Sequence, residues 1–187
     1  GKTENGITIT IQADTGSASN LTANLPKTTI DTLVKEGVKE TRITSGIATI
    51  TLNLETMKEI QKQAGGDVTV TATKVDNSTL SAESKAVVGN RPVYDLSIIG
   101  NNGVKITNFG GGKISVSLPY TLGANEKAGN VVAYYIDSNG KVQEIPNSVY
   151  DPETKMLSFV TNHFSVYAVG YKANAAITFT DITNHWA

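Results

Sequence analysis

Short runs in which apolar and hydroxyl-bearing residues change places at every step constrain this chain more than anything else in it. Ile7-Thr8-Ile9-Thr10-Ile11, Ala48-Thr49-Ile50-Thr51-Leu52, Val68-Thr69-Val70-Thr71-Ala72 and Ile114-Ser115-Val116-Ser117-Leu118 all carry the pattern. A period of two puts the apolar side chains on one face of a strand and the hydroxyls on the other, and β-branched residues favour the extended backbone that does so. The chain is therefore expected to build sheets that bury one face and leave the other in water. With 39% hydrophobic residues among 187, it has the material for a core.

Two stretches break the period. After Pro26, Thr28 is placed to cap a helix that carries Ile30, Leu33 and Val34 on one side, with Gly37 as a left-handed stop. After Asn53, a second helix sets Leu54, Met57, Ile60 and Ala64 on one face and ends at Gly65-Gly66. Each lies between strands, so residues 20–75 read as a strand-helix-strand unit written twice. Further on, Asn102-Gly103 and Asn139-Gly140 suit tight hairpin turns, and Tyr150-Asp151-Pro152-Glu153 reads as another turn, although Asp-Pro bonds are acid-labile. The expected class is a β-dominated α+β chain of antiparallel sheets or a β-sandwich, with two short helices in its N-terminal half. Two adjoining subdomains are expected: a β-rich unit at 1–76 carrying both helices, and an antiparallel β unit at 91–171. A small, polar, partly helical segment at 77–90 connects them, and a linker at 172–178 leads to a last segment at 179–187.

Charge and composition exclude several roles. A net charge of -1, from 16 basic and 17 acidic residues scattered along the chain, offers no field to recruit nucleic acid. Cysteine is absent, which removes disulfides and thiolate sites. The two histidines, His163 and His185, and the lack of a calcium-loop spacing point to no metal and no cofactor. No apolar run approaches the roughly 20 residues of a membrane span, and a monomer is expected. Asn108-Phe109-Gly110-Gly111-Gly112-Lys113 lacks the phosphate-loop spacing and leads into a strand, so it reads as a turn or bulge. No motif selects a pair of carboxylates for glycoside hydrolysis. A carbohydrate-binding module would need exposed rings. The single tryptophan is Trp186, and Tyr134-Tyr135, on opposite faces of one strand, would put one ring towards solvent.

His163-Phe164-Ser165, between the last two strands, is the most reactive-looking arrangement. It resembles the His-Phe-Ser found at tight turns in self-cleaving domains of the ZU5 and nucleoporin-98 type, which break their own Phe-Ser bond. That resemblance implies Ser165 as nucleophile, His163 as its general base and the Phe164 carbonyl as electrophile, giving an ester that water opens. Serine hydroxyl is a weak nucleophile without a base and an oxyanion donor, so the step demands both. The alternative is structural: Phe164 as a buried aromatic at a strand start, with His163 and Ser165 bonding the turn backbone.

The last nine residues, Phe179-Thr180-Asp181-Ile182-Thr183-Asn184-His185-Trp186-Ala187, resemble the opening of an S-layer homology module. Arg91-Pro92-Val93-Tyr94-Asp95-Leu96, Val116-Ser117-Leu118-Pro119-Tyr120 and Thr161-Asn162-His163-Phe164-Ser165-Val166-Tyr167 resemble a module placed before such repeats in surface proteins. These likenesses imply an extracellular chain at the cell wall or S-layer of a Gram-positive bacterium, anchored to cell-wall polysaccharide by repeats beyond residue 187. Many such parents degrade polysaccharides. For this chain the expected function is a non-catalytic spacer or presentation module. The alternatives are autoproteolysis at Phe164-Ser165 and glycan binding.

Overall fold

The computed structural model describes residues 8–12, 14–17 and 20–172. In chain order the elements are β1 (Thr8–Gln12), β2 (Asp14–Ser17), β3 (Asn20–Leu25), α1 (Lys27–Lys35), β4 (Glu40–Thr44), β5 (Thr49–Asn53), α2 (Leu54–Ala64) and β6 (Val68–Lys74). They continue with α3 (Ala82–Val88), β7 (Val93–Gly100), β8 (Ile114–Pro119), β9 (Val131–Ile136), β10 (Val142–Glu144), β11 (Val149–Asp151), β12 (Met156–Thr161) and β13 (Val166–Tyr171). One sheet runs β1-β4-β5-β8-β12-β11 and the other β10-β9-β13-β7-β6-β3-β2. Every pairing is antiparallel except β1 beside β4. The fold is a β-dominated α+β sandwich, as the alternation requires.

The strand-helix-strand units are both present, and each carries the chain from one sheet to the other: β3-α1-β4, then β5-α2-β6. The two adjoining units expected at 1–76 and 91–171 contribute strands to the same two sheets. β5 takes β8 as its neighbour and β6 takes β7, so each sheet draws strands from residues before 76 and after 91. The inward faces meet in one cluster that runs from Leu21 through Ile50 and Leu96 to Val169. Neither half can bury its apolar face without the other.

Local signals explain the helices. Asn53 Oδ1 accepts the Thr56 N–H at 2.9 Å and caps α2, which stops at Gly65 with φ 66. Gly37 takes the same left-handed value after α1. Thr28, expected to cap α1, lies inside it; Pro26 is the N-cap residue, in an extended conformation and without a capping side chain of its own. The Lys27 N–H donates instead to Asp67 Oδ1 at 2.8 Å, from just before β6. A third helix, α3, occupies part of the connecting segment and covers the outer face of its sheet with Val88 against Val93, Ile136 and Ala168. The opposite outer face is wet and hydroxyl-rich. Thr44 and Thr49 hydroxyls lie 2.9 Å apart across β4 and β5, and those of Ser117 and Ser158 lie 2.8 Å apart across β8 and β12.

The anticipated turns form where expected. Gly103 and Gly140 have φ values of 78 and 80, and Asp151-Pro152 sits in a plain hairpin closed by the Lys155 N–H on the Asp151 carbonyl at 2.8 Å.

One hydroxyl runs against the alternation. Thr41 on β4 faces the core, is fully buried, and its Oγ1 has no partner among the described residues. An unsatisfied buried hydroxyl costs about 1–3 kcal/mol. Thr41→Val should therefore raise stability by about 1 kcal/mol, read as a higher urea midpoint at unchanged slope. A lower midpoint would show that the hydroxyl is satisfied in solution.

Candidate functional site

The turn that carries His163-Phe164-Ser165 takes the chain from β12 in one sheet to β13 in the other. Phe164 is the pin of this crossing. It is buried to 4% exposure and packs edge-to-face on Phe109, with ring centres 5.6 Å apart. That contact also explains the glycine-rich segment: it is the turn that inserts Phe109 into the core, and His163 pairs with Asn108 across it. The Ser165 carbonyl accepts the Leu96 N–H at 2.9 Å, which starts the docking of β13 on β7.

Tyr167 organises the turn from the far side. Its phenol donates to the His163 carbonyl at 2.6 Å, and Thr161 Oγ1 lies 2.9 Å from the phenol oxygen and 3.1 Å from the same carbonyl. A tyrosine that reaches back to the backbone a few residues upstream is a known corner device of β-sandwiches. Burial first of all pushes the Tyr167 pKa up to about 12, so the phenol keeps its proton and remains a donor.

His163 is half-buried, with Nδ1 at 3.3 Å from Thr161 Oγ1 and 3.2 Å from Asn162 Oδ1. Its ring stands edge-to-face on Tyr135, centres 4.9 Å apart. Burial pushes its pKa below the ordinary 6.5, which favours the neutral ring. Among the described residues no hydrogen bond joins His163 to Ser165 Oγ, and no donor reaches the Phe164 carbonyl. The turn backbone shows no residue in the left-handed region. The two side chains also line different clefts. His163 faces one of about 360 Å³ with Tyr135, Gln143 and Asn162, whereas Ser165 faces one of about 220 Å³ with Asp95, Ser97 and Lys105.

Sequence reasoning placed all three residues in one turn and missed Tyr167, Tyr135 and Phe109. The position of Tyr167, second in a strand after a turn and inward by alternation, is the signal that was there to find.

Neither ring of the Tyr134-Tyr135 pair stands free in solvent: Tyr134 packs outward over Gly170, and Tyr135 is half-buried beside His163, where it lines a cleft. Among the described residues no three or more His, Cys, Asp or Glu side chains gather to hold a metal, and no helix is long and apolar enough to cross a membrane. Trp186 and the rest of the segment at 179–187 lie outside the described residues.

No family model, curated protein or solved structure matches this chain. The role of the turn is therefore read from its own contacts.

Proposed function

We propose that this chain is a non-catalytic presentation module of a bacterial cell-surface protein, a sandwich placed before cell-wall-anchoring S-layer homology repeats. The observation that carries the non-catalytic part is the bonding of the turn. The His163 carbonyl is latched by Tyr167, Nδ1 is engaged by Thr161 and Asn162, and among the described residues neither a base is bonded to Ser165 nor a donor to the Phe164 carbonyl. Acyl transfer needs both groups in position. The surface address, at the cell wall of a Gram-positive bacterium, rests on the residues at 179–187.

A spacer between a cargo and an anchor has to pass tension without opening. β13, the strand that leads towards the tail, is hydrogen-bonded on both sides, to β9 and to β7. Pulling on it has to shear two ladders at once. That placement favours a load-bearing role.

Self-cleavage at Phe164-Ser165 is the competing reading, favoured by one feature: burial keeps His163 in the neutral form a general base needs. The two readings differ in a simple observable. Purified chain held at neutral pH should stay one species on a denaturing gel; accumulation of a shorter species cut at this turn would favour self-cleavage.

A further inference from the structure

The cleft beside His163 opens between the two sheets, with β9 and β10 on one side and the ends of β8 and β12 on the other. Its volume of about 360 Å³ lies within the range of small-molecule sites, roughly 300–1,000 Å³. The base of the cleft is aromatic and held in place. Tyr135 is braced edge-to-face by His163 at 4.9 Å and tilted against Tyr167 at 5.9 Å, and the phenol of Tyr167 is bonded to the turn. Ile145 and Pro146 extend the apolar part of the lining.

Polar groups with unused capacity surround this base. Gln143 has no hydrogen-bond partner among the described residues, and Asn162 has only its Oδ1 engaged. With Nδ1 of His163 occupied, Nε2 remains available. The charges on the rim are unequal. Glu144 is paired with Lys172 at 2.7 Å, whereas Lys113 has no carboxylate partner among the described residues. The cleft thus has a half-buried tyrosine ring in its base, amide and imidazole arms around it, and at its edge a lysine without a carboxylate partner among the described residues.

We propose that this cleft binds a pyranose sugar bearing a carboxylate, a uronic-acid unit of a polysaccharide. The apolar face of the sugar ring lies on Tyr135, its hydroxyls meet Gln143, Asn162 and His163 Nε2, and its carboxylate faces Lys113. A single lysine at the edge matches the one charge of a carboxylate, whereas phosphate sites recruit several donors. Because the rings are already fixed, little ordering is lost on binding. With one ion pair at an exposed edge, the affinity is modest, with Kd on the order of 1 mM. A site of this kind adds a ligand to a module that remains non-catalytic.

The test is a protein NMR titration of the intact chain with methyl glucuronide and, separately, methyl glucoside. The Tyr135 and His163 signals should shift saturably with the glucuronide and about tenfold more weakly with the neutral sugar. Lys113→Ala should reduce the glucuronide affinity to that of the glucoside, and Gln143→Ala should weaken both; these side chains lie at the surface, so the fold is retained. Absence of a saturable shift with either sugar overturns the site. Equal binding of both sugars, unaffected by Lys113→Ala, overturns the carboxylate assignment. These results do not depend on whether the chain cleaves itself.

Discussion

Arg91→Ala should lower the folding free energy by about 3 kcal/mol, a large fraction of the stability of a domain this size. Nε and Nη2 of Arg91 donate to Glu126 Oε2 at 3.0 and 2.5 Å, and the two side chains are only 24% and 14% exposed. The other carboxylate oxygen accepts the Tyr120 hydroxyl and the Gly123 N–H. The guanidinium also sits 5.2 Å from the centre of the Tyr171 ring, and the Tyr171 hydroxyl accepts the Lys127 N–H at 2.9 Å. One cation thus ties the segment before β7 to the loop after β8 and to the end of β13. Truncation strands a shielded carboxylate without its counter-charge, which costs more than the pair contributes over an apolar substitute.

The same cluster has a pH signature. Burial alone would raise the Glu126 pKa, but the hydrogen bonds from Tyr120, Gly123 and Arg91 outweigh it and hold the carboxyl below its ordinary 4.5. A carboxyl depressed in the fold contributes stability above its unfolded value, and that contribution is lost as pH falls through the folded value. The stability gap between the native chain and Glu126→Gln should therefore be widest near neutrality and shrink as the pH falls below the ordinary carboxylate value and through the lowered folded one. Urea midpoints across that range measure it. A gap independent of pH would remove Glu126 from the account of acid sensitivity.

Gly112→Ala should cost about 3 kcal/mol, while Gly111→Ala next to it should change stability by less than about 0.5 kcal/mol. A Cβ at 112 would lie 2.7 Å from both N and Cα of Thr56, and at 111 it would meet nothing within 4 Å. Thr56 belongs to the first turn of α2, where Asn53 Oδ1 accepts the Thr56 N–H at 2.9 Å and the Lys113 N–H at 3.1 Å. The clash is with helix backbone, so relief requires moving the helix start and losing the cap that joins it to β8. Overpacking of this kind costs about 1–3 kcal/mol and a lost cap about 1 kcal/mol. Thermal unfolding of the two variants side by side separates this close approach from a general need for flexibility in the glycine run.

Much of this fold can be read locally. The two-residue period marked the strands, Asn53 and Gly65 bounded α2, and the Asn-Gly steps marked two turns, because each depends on a few adjacent side chains and backbone angles. Partner choice does not. Nothing near β5 announces β8, and nothing near α1 announces that Asp67 will receive its first N–H; those contacts exist only once both sheets have closed on one core. The reactive-looking turn shows the same division. That Phe164 is a buried pin follows from its place at a strand start. That the His163 carbonyl is latched and its imidazole engaged follows from Tyr167 and Thr161, which meet it only after the crossing between sheets is made.

On the proposed reading, the crossing from β12 to β13 is structural. Denatured intact-mass spectrometry of the purified chain after long incubation at neutral pH tests it most directly. A structural turn leaves a single species at the full 19.8 kDa, identical in behaviour to Ser165→Ala. A second species corresponding to the 23 residues from Ser165 to Ala187, absent from Ser165→Ala, would contradict it.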